Sequence, residues 1–338
     1  MDLVTFILGI AVLIFIHELG HFFACRIFKV DVEEFGIGFP PRAVKLFEHK
    51  GTVFSLNWIP LGGFVRPKGE NDPDVPGGLA SATPWVRLGV LFAGPLMNLL
   101  TGMLLGIFLV YSLGEAVPDK VLISAIAPGS PAEQAGIQPG DLVLEVAGVQ
   151  ITSVSHMQEL IDQNLGRQIA LLVQRGEQTL TVELTPRTDP PEGEGPMGVG
   201  LTNPTRPISI DKAVTRGSVA AFEQVRGILV LPLRMVRGEV SPEEGRLVGY
   251  KGMFDIYQRI QSPLWFFMAI SISLGVMNLL PIPALDGGRI LLTLPEILFR
   301  RRVPAQYENV IHMVGFALLI LLLIYINVQD FLNPIQLP

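Results

Sequence analysis

The stretch LVTFILGIAVLIFIHELGHFFAC, residues 3–25, decides how the rest of the chain is read. A helix needs about 20 mostly apolar residues to cross a hydrocarbon core, and this stretch has them. Its one carboxylate, Glu18, sits between two histidines in the run His17-Glu18-Leu19-Gly20-His21. On a helix, residues four apart lie about 40° apart around the axis, so both imidazoles project from one face. Two such nitrogens can share one Zn²⁺, and Glu18 then lies beside the metal's water. Ionisable groups in a span are costly unless they are partnered or functional. A catalytic zinc site usually takes three protein ligands and one exchangeable water, so a third ligand is expected elsewhere in the chain.

Composition agrees with a membrane setting. Of 338 residues, 49% are hydrophobic and only 17% charged, against about 25% charged in an ordinary soluble domain. The net charge of -6 gives no polyelectrolyte signal, so no nucleic-acid partner is expected. A single cysteine, Cys25, excludes an intramolecular disulfide. Four long stretches are free of charge or nearly so, which predicts a first transmembrane helix at 1–26, a second at 88–113, a third transmembrane segment at 261–298 and a fourth helix at 306–330. The N-terminus lacks a basic region before the first stretch, which is therefore read as retained. Basic residues cluster between the first two spans, from Arg26 to Arg87, and again at Arg300, Arg301 and Arg302. The positive-inside rule places those loops in the cytoplasm and both termini outside. The expected location is the inner (plasma) membrane, with the long segment between spans two and three extracytoplasmic.

That segment begins as a compact β-rich domain. Lys120–Ile126 alternates like a strand, Ala132–Ala135 is a short helix ended by Gly136, and Leu142–Val146 is a second strand. Ser155–Asn164 has helical spacing, and Gln168–Gln174 with Gln178–Leu184 reads as a hairpin about Arg175-Gly176. With Pro-Gly-Ser-Pro-Ala-Glu-Gln-Ala-Gly-Ile-Gln-Pro-Gly-Asp at 128–141, this order resembles a PDZ domain of the bacterial protease type, placed at 114–203. Gly198–Leu201 looks like its terminal strand. The resemblance implies that the domain takes an extended peptide, such as a C-terminus, on a sheet edge. Residues 204–260 read as an amphipathic interfacial segment, with its helix at Val219–Val236. In the cytoplasmic loop 27–87, Gly36–Pro41 is turn-rich and Thr52–Pro60 alternates like a strand, which predicts a membrane-associated β-hairpin.

The natural candidate for the third metal ligand is Asp286, at the end of Asn278-Leu279-Leu280-Pro281-Ile282-Pro283-Ala284-Leu285-Asp286-Gly287. His17 lies about 14 residues, or ~21 Å, into one inward-running helix. Asp286 lies at a similar depth in another, which Pro281 and Pro283 must break. Together, His17–His21, Gly94-Pro95-Leu96-Met97-Asn98 and Asn278–Gly287 resemble the site-2 protease family of intramembrane zinc metalloproteases. The inserted PDZ unit resembles that of the bacterial regulator-protease branch, which trims anti-sigma factors and remnant signal peptides. The resemblance implies that His17, His21 and Asp286 bind Zn²⁺, that Glu18 is the catalytic base, and that Asn98 and Asn278 lie near the substrate, either one able to serve the oxyanion. It also implies that the hairpin, through Phe54, Leu56 and Trp58, presents the substrate as an extended strand. His312 is read as an interfacial residue within reach of the site.

The fold expected is therefore an α-helical polytopic membrane protein with four transmembrane helices, a cytoplasmic membrane-associated β-hairpin and an inserted extracytoplasmic α/β PDZ domain. The substrates expected are single-span membrane proteins, cut within the bilayer. Two other classes fit parts of the pattern: a non-enzymatic PDZ scaffold, and a metal transporter. Glu18 beside the metal argues against the first, and the lack of an internal repeat against the second.

Overall fold

The computed structural model describes residues 3–241, 245–260 and 262–334. In chain order the first elements are α1 (Leu3–Ile27), β1 (Val32–His49), β2 (Thr52–Pro67), α2 (Pro84–Leu113), β3 (Glu115–Ala116), β4 (Val121–Ile126) and α3 (Pro131–Gln134). Then come β5 (Leu142–Val146), β6 (Val149–Gln150), α4 (Val154–Asp162), β7 (Ile169–Arg175), β8 (Gln178–Leu184), β9 (Val199–Thr202) and β10 (Thr205–Arg206). The chain ends with α5 (Ile210–Val236), α6 (Tyr250–Arg259), α7 (Pro263–Leu279), α8 (Asp286–Phe299) and α9 (Ala305–Leu332). It divides into two compact units, one of Met1–Leu109 with Ala213–Pro338, the other Val110–Lys212.

In the first unit, and among the described residues, α1, α2 and α9 are long and apolar enough to cross a membrane. The chain is a multi-pass membrane protein. The apolar helix α7 has 17 residues, about 26 Å at 1.5 Å per residue. The apolar sequence runs on to Leu285, yet the helix stops at Leu279. Pro281 and Pro283 have no N–H to give, and their rings clash with a preceding turn. Helix resumes as α8 at Asp286. The third segment, expected at 261–298 with a break at Pro281 and Pro283, is two helices joined by a tight turn, and residue 261 lies outside the described residues.

The helices meet through small residues. A Cβ on Gly20 of α1 would overlap the Ala93 carbonyl of α2, and one on Gly275 of α7 would lie 2.8 Å from Leu99 Cγ. Missing side chains let backbones approach where the surrounding lipid gives no hydrophobic drive for association. Ser271 Oγ of α7 donates to the Asn98 carbonyl of α2 at 2.8 Å. At the far end of α9, the buried Asp330 accepts from Gly249 N–H (2.8 Å) and from Gly252 N–H (3.1 Å), satisfying the first turn of α6.

The loop between α1 and α2 differs from the expected simple hairpin. Gly36–Pro41 is not a turn run but part of the long, irregular strand β1. Its residues 34–37 pair on one side with 53–56 and on the other with 63–66, while 42–49 pairs with 52–57. Four strand segments therefore lie in the order 63–67, 32–37, 52–57, 42–49. Glu34 in one of them accepts from Arg42 (2.7 Å) and Arg66 (2.8 Å) in two others. The helix expected at the interface exceeds its expected span: α5 begins at Ile210, not Val219.

In the second unit the sheet order is β8-β7-β5-β4-β9, with β6 on β5. Val121, Ile123, Val143, Leu171 and Val173 alternate inward and bury against Met157 and Ile161 of α4. Ser153 caps α4 by accepting from His156 N–H at 3.0 Å. β9 ends the sheet order, so one of its edges is left unpaired by the sheet. Arg175 Nε and an Arg175 terminal nitrogen donate to the two oxygens of buried Asp141, both at 2.7 Å. This hydrogen-bonded guanidinium holds the Asp141 carboxyl below the usual carboxylate range.

Arg175→Ala leaves that carboxylate buried without its cation. We expect it to lower the stability of this unit at pH 7, seen as faster amide hydrogen exchange in β5 and β7. A depressed folded-state pKa stabilises above the ordinary carboxylate range and is lost as pH falls through the folded value. The gap between native protein and variant should therefore close on acidification below about pH 4.

Candidate metal centre

Among the described residues, His17, His21 and Asp286 form one cluster whose ligand atoms all lie within 4.8 Å of one another. His17 Nε2 is 3.1 Å and His21 Nε2 3.4 Å from Asp286 Oδ2, and the two imidazole nitrogens are 3.2 Å apart. Zinc with nitrogen or oxygen ligands at about 2.0–2.1 Å in a tetrahedron has ligand–ligand edges of roughly 3.3–3.4 Å. The observed triangle is close to that size. Among the described residues, buried Asp286 Oδ2 makes no hydrogen bond of good geometry, so a cation shared with the two imidazole nitrogens would satisfy it. Two neutral imidazoles and one carboxylate are a usual zinc donor set. The residues present fit the ion.

Each ligand is oriented by a neighbour. His21 Nδ1 donates to the Val90 carbonyl of α2 at 2.8 Å, which leaves the Nε2 lone pair facing the cluster. The Asn98 amide nitrogen lies 3.2 Å from His17 Nδ1. Turning the amide over puts its oxygen there, as acceptor for the Nδ1–H that a metal-facing Nε2 requires. The opposite end of that amide, buried, has no partner in the present orientation. Gly94 completes the setting, for a Cβ there would overlap His21 Nε2 and come within 2.8 Å of His17 Nε2. Asp286 stands at the start of α8, where Gly287 and Gly288 let the turn fold back. A Cβ at Gly287 would strike the Leu279 and Leu280 carbonyls.

A cavity of about 640 Å³ opens beside the cluster, lined by Glu18, Asn98, Asn278, Arg289 and the strand residues Gly63, Phe64 and Val65. Glu18, next in chain to His17, accepts from Val65 N–H at 2.9 Å. Residues two apart on a strand face the same way, so Gly63 turns its own N–H and C=O toward that cavity. Asn278 Nδ2 donates to the Leu274 carbonyl at 3.0 Å and keeps a second N–H for the cavity. Arg289 pairs with Glu70, and Arg87 with Glu296, at the same end of the unit.

The expected presenting strand requires correction. Phe54 pairs with both Phe35 and Phe47, and Leu56 with both Ile37 and Val44. Their backbone is used on both sides, so neither can add a further strand. Trp58 is 71% exposed and is absent from the cavity wall. The edge that faces Glu18 is Gly63–Val65. Sequence reasoning missed Gly63, Val65 and Val90, because each contributes backbone, which any residue carries. The glycine pair Gly62-Gly63 was the only available hint.

A model described as peptidase family M50 matches residues 5–322. Chains named "Putative zinc metalloprotease" are similar over nearly the full length. One from Clostridium perfringens is 31% identical over 346 residues, covering 99% of this chain and 100% of its own. One from Campylobacter jejuni is 32% identical, covering 98% and 93%, and one from Fusobacterium nucleatum is 32% identical, covering 96% and 98%. The PDZ domain of an SdrC-like protein from Listeria monocytogenes matches 26% of this chain and 93% of its own at 18% identity, with a TM-score of 0.23; a score of that size carries no argument.

Gly94→Ala should cost the protein its zinc while leaving it folded. Metal analysis of the purified variant is expected to give well under half the native zinc content, with the circular dichroism of the native protein. Native zinc content in this variant would mean that the imidazoles do not need the space.

Proposed function

The chain belongs to peptidase family M50 and is a zinc metalloprotease of the site-2 type, and on that premise we propose that it cuts single-span membrane proteins at peptide bonds within the bilayer. His17, His21 and Asp286 hold the zinc. The observation that carries this ligand set is the triangle of 3.1, 3.2 and 3.4 Å between their donor atoms, with Glu18 beside it. Zinc, when bound there, supplies a Lewis acid for the scissile carbonyl and lowers the pKa of water.

The chain's own residues do the rest. Glu18 takes a proton from the attacking water and returns it to the leaving amine. Its hydrogen bond from Val65 N–H holds one carboxylate oxygen and leaves the other for that transfer. Asn278 donates its remaining N–H to the developing oxyanion, while Asn98 serves His17. A helical substrate hides its peptide bonds in its own hydrogen bonds, and an unwound segment needs replacement partners. Gly63 N–H and C=O supply them by strand addition. Within the bilayer, such polar exchange is tolerable where a cavity is lined by protein.

Four spans, with both termini extracytoplasmic and the metal centre toward the cytoplasm of the inner membrane, complete the reading. Arg302 donates to the Ala80 carbonyl, joining the α8–α9 loop to the α1–α2 loop. Both basic loops thus lie at one end of the unit, as the positive-inside rule requires of loops on one side. The 110–212 unit is a PDZ-type module that takes an extended peptide, such as a substrate C-terminus, on the open edge of β9. A groove of about 280 Å³ beside that edge, lined by Ile161, Met197, Val199 and Leu201, supports this.

Two outcomes test the site. Glu18→Gln should bind zinc as the native protein does and cleave a single-span substrate in detergent at least about a hundredfold more slowly. Equal zinc with no cleavage from either protein would favour the scaffold. Gly63→Pro removes one outward N–H and keeps the Val65 bond to Glu18. We expect it to slow cleavage of a helical span about tenfold or more, and to spare a short extended peptide.

A further inference from the structure

The turn that carries Asp286 has a backbone problem that its own residues do not solve. Between α7 and α8, Pro281 and Pro283 have no N–H. Ile282 N–H donates to the Leu280 carbonyl (2.7 Å) and Leu285 N–H to the Ile282 carbonyl (3.2 Å). Ala284, between them, sits in the left-handed region at φ 76, which disfavours any residue with a Cβ. Its N–H points out of the turn and donates to His312 Nδ1 of α9 at 2.9 Å. One turn further along the same face of α9, Gly315 is buried against Pro283, where a Cβ would overlap the proline ring and stand 2.9 Å from its carbonyl.

We propose that His312, with Gly315, is a positioning element for the metal centre: α9 carries no ligand, but it accepts the one N–H of the Pro281–Leu285 turn that needs a partner and so fixes where Asp286 stands. Among the described residues, His312 makes no other hydrogen bond. Its Nε2, which must carry the proton when Nδ1 accepts, is buried without a partner. The imidazole thus gives up hydrogen bonding at one nitrogen and spends the other on a residue two positions from Asp286. Away from water, an N–H left unmet would favour any rearrangement that pairs it. A strained left-handed residue is the first to relax. Relaxation there carries the Asp286 carboxylate out of its 3.1 and 3.4 Å contacts with the imidazole nitrogens.

The inference rests on Asp286 as a zinc ligand, and the experiment separates the two claims. The full-length protein, loaded with zinc in detergent, is mixed with a chromogenic chelator, and zinc loss is timed beside cleavage of a single-span substrate. His312→Leu keeps much of the shape and removes the acceptor. It should lose zinc at least tenfold faster than native and lower kcat with little change in KM. His312→Asn places Oδ1 where Nδ1 was and should stay within about threefold of native. His312→Gln, whose oxygen falls at the Nε2 position, should behave as Leu does. Gly315→Ala should lose zinc faster too, by displacing Pro283. Should His312→Leu not fold, the contrast between Asn and Gln decides. Native-like zinc retention in Leu, or equal defects in Asn and Gln, overturns the role given to His312 and leaves Asp286 untouched. If Asp286→Asn itself retains zinc as the native protein does, the ligand assignment fails, and the positioning role falls with it.

Discussion

Gly20 of α1 lies against the Ala93 carbonyl, and Gly94 of α2 lies against the two metal-facing imidazoles. This close crossing of two apolar helices is what the rest of the site is built on. It brings the Val90 carbonyl within reach of His21 and the Asn98 side chain within reach of His17. Both imidazoles are thereby held in one tautomer before any ion arrives. A methyl group on Gly20 would press α1 off the Ala93 carbonyl, whereas one on Gly94 would displace the two imidazoles and leave the helices in place. α7 is tied to the same place on α2 by Ser271, so the third ligand is delivered to a fixed pair.

Irregular backbone in this protein occurs where protein lines it. The Pro281–Leu285 turn is braced by α9 and folds back over Gly287 and Gly288. The sheet segments between α1 and α2 use both edges of residues 53–56 and leave the 63–65 edge toward the cavity. Both follow from one rule: backbone polar groups away from water need partners, and the exceptions collect at a lined cavity. The exceptions here adjoin Glu18 and Asp286, where a substrate backbone would need the same kind of partner.

The cluster that the structure brings together was legible in the sequence because it resides in rare side chains. His17, Glu18 and His21 announce themselves by spacing, and Asp286 by the prolines before it. The strands and helix of the 110–212 unit were legible from alternation and turn residues. What stayed hidden was carried by backbone or by register. Nothing in Thr52–Pro60 reveals that 53–56 is flanked on both sides, because alternation gives a strand its faces and says nothing about its neighbours. The start of α5 at Ile210 was obscured by Asp211, Lys212 and Arg216, whose charges suit a polar helix face as well as a loop. His312 looked interfacial because its one partner is a main-chain N–H 28 residues away.

The order of these parts along the chain has a consequence for synthesis. His17 and His21 are made early and enter the membrane with the first helix. Asp286 is residue 286 of 338, and its brace His312 comes later still. On the proposed ligand set, a growing chain therefore holds two of the three ligands, with Glu18 beside them, through most of its translation. The 110–212 unit is already complete by then. On the roles proposed for Asp286 and His312, the chain can meet others in the membrane before it is able to cut them, and its last helix completes the site.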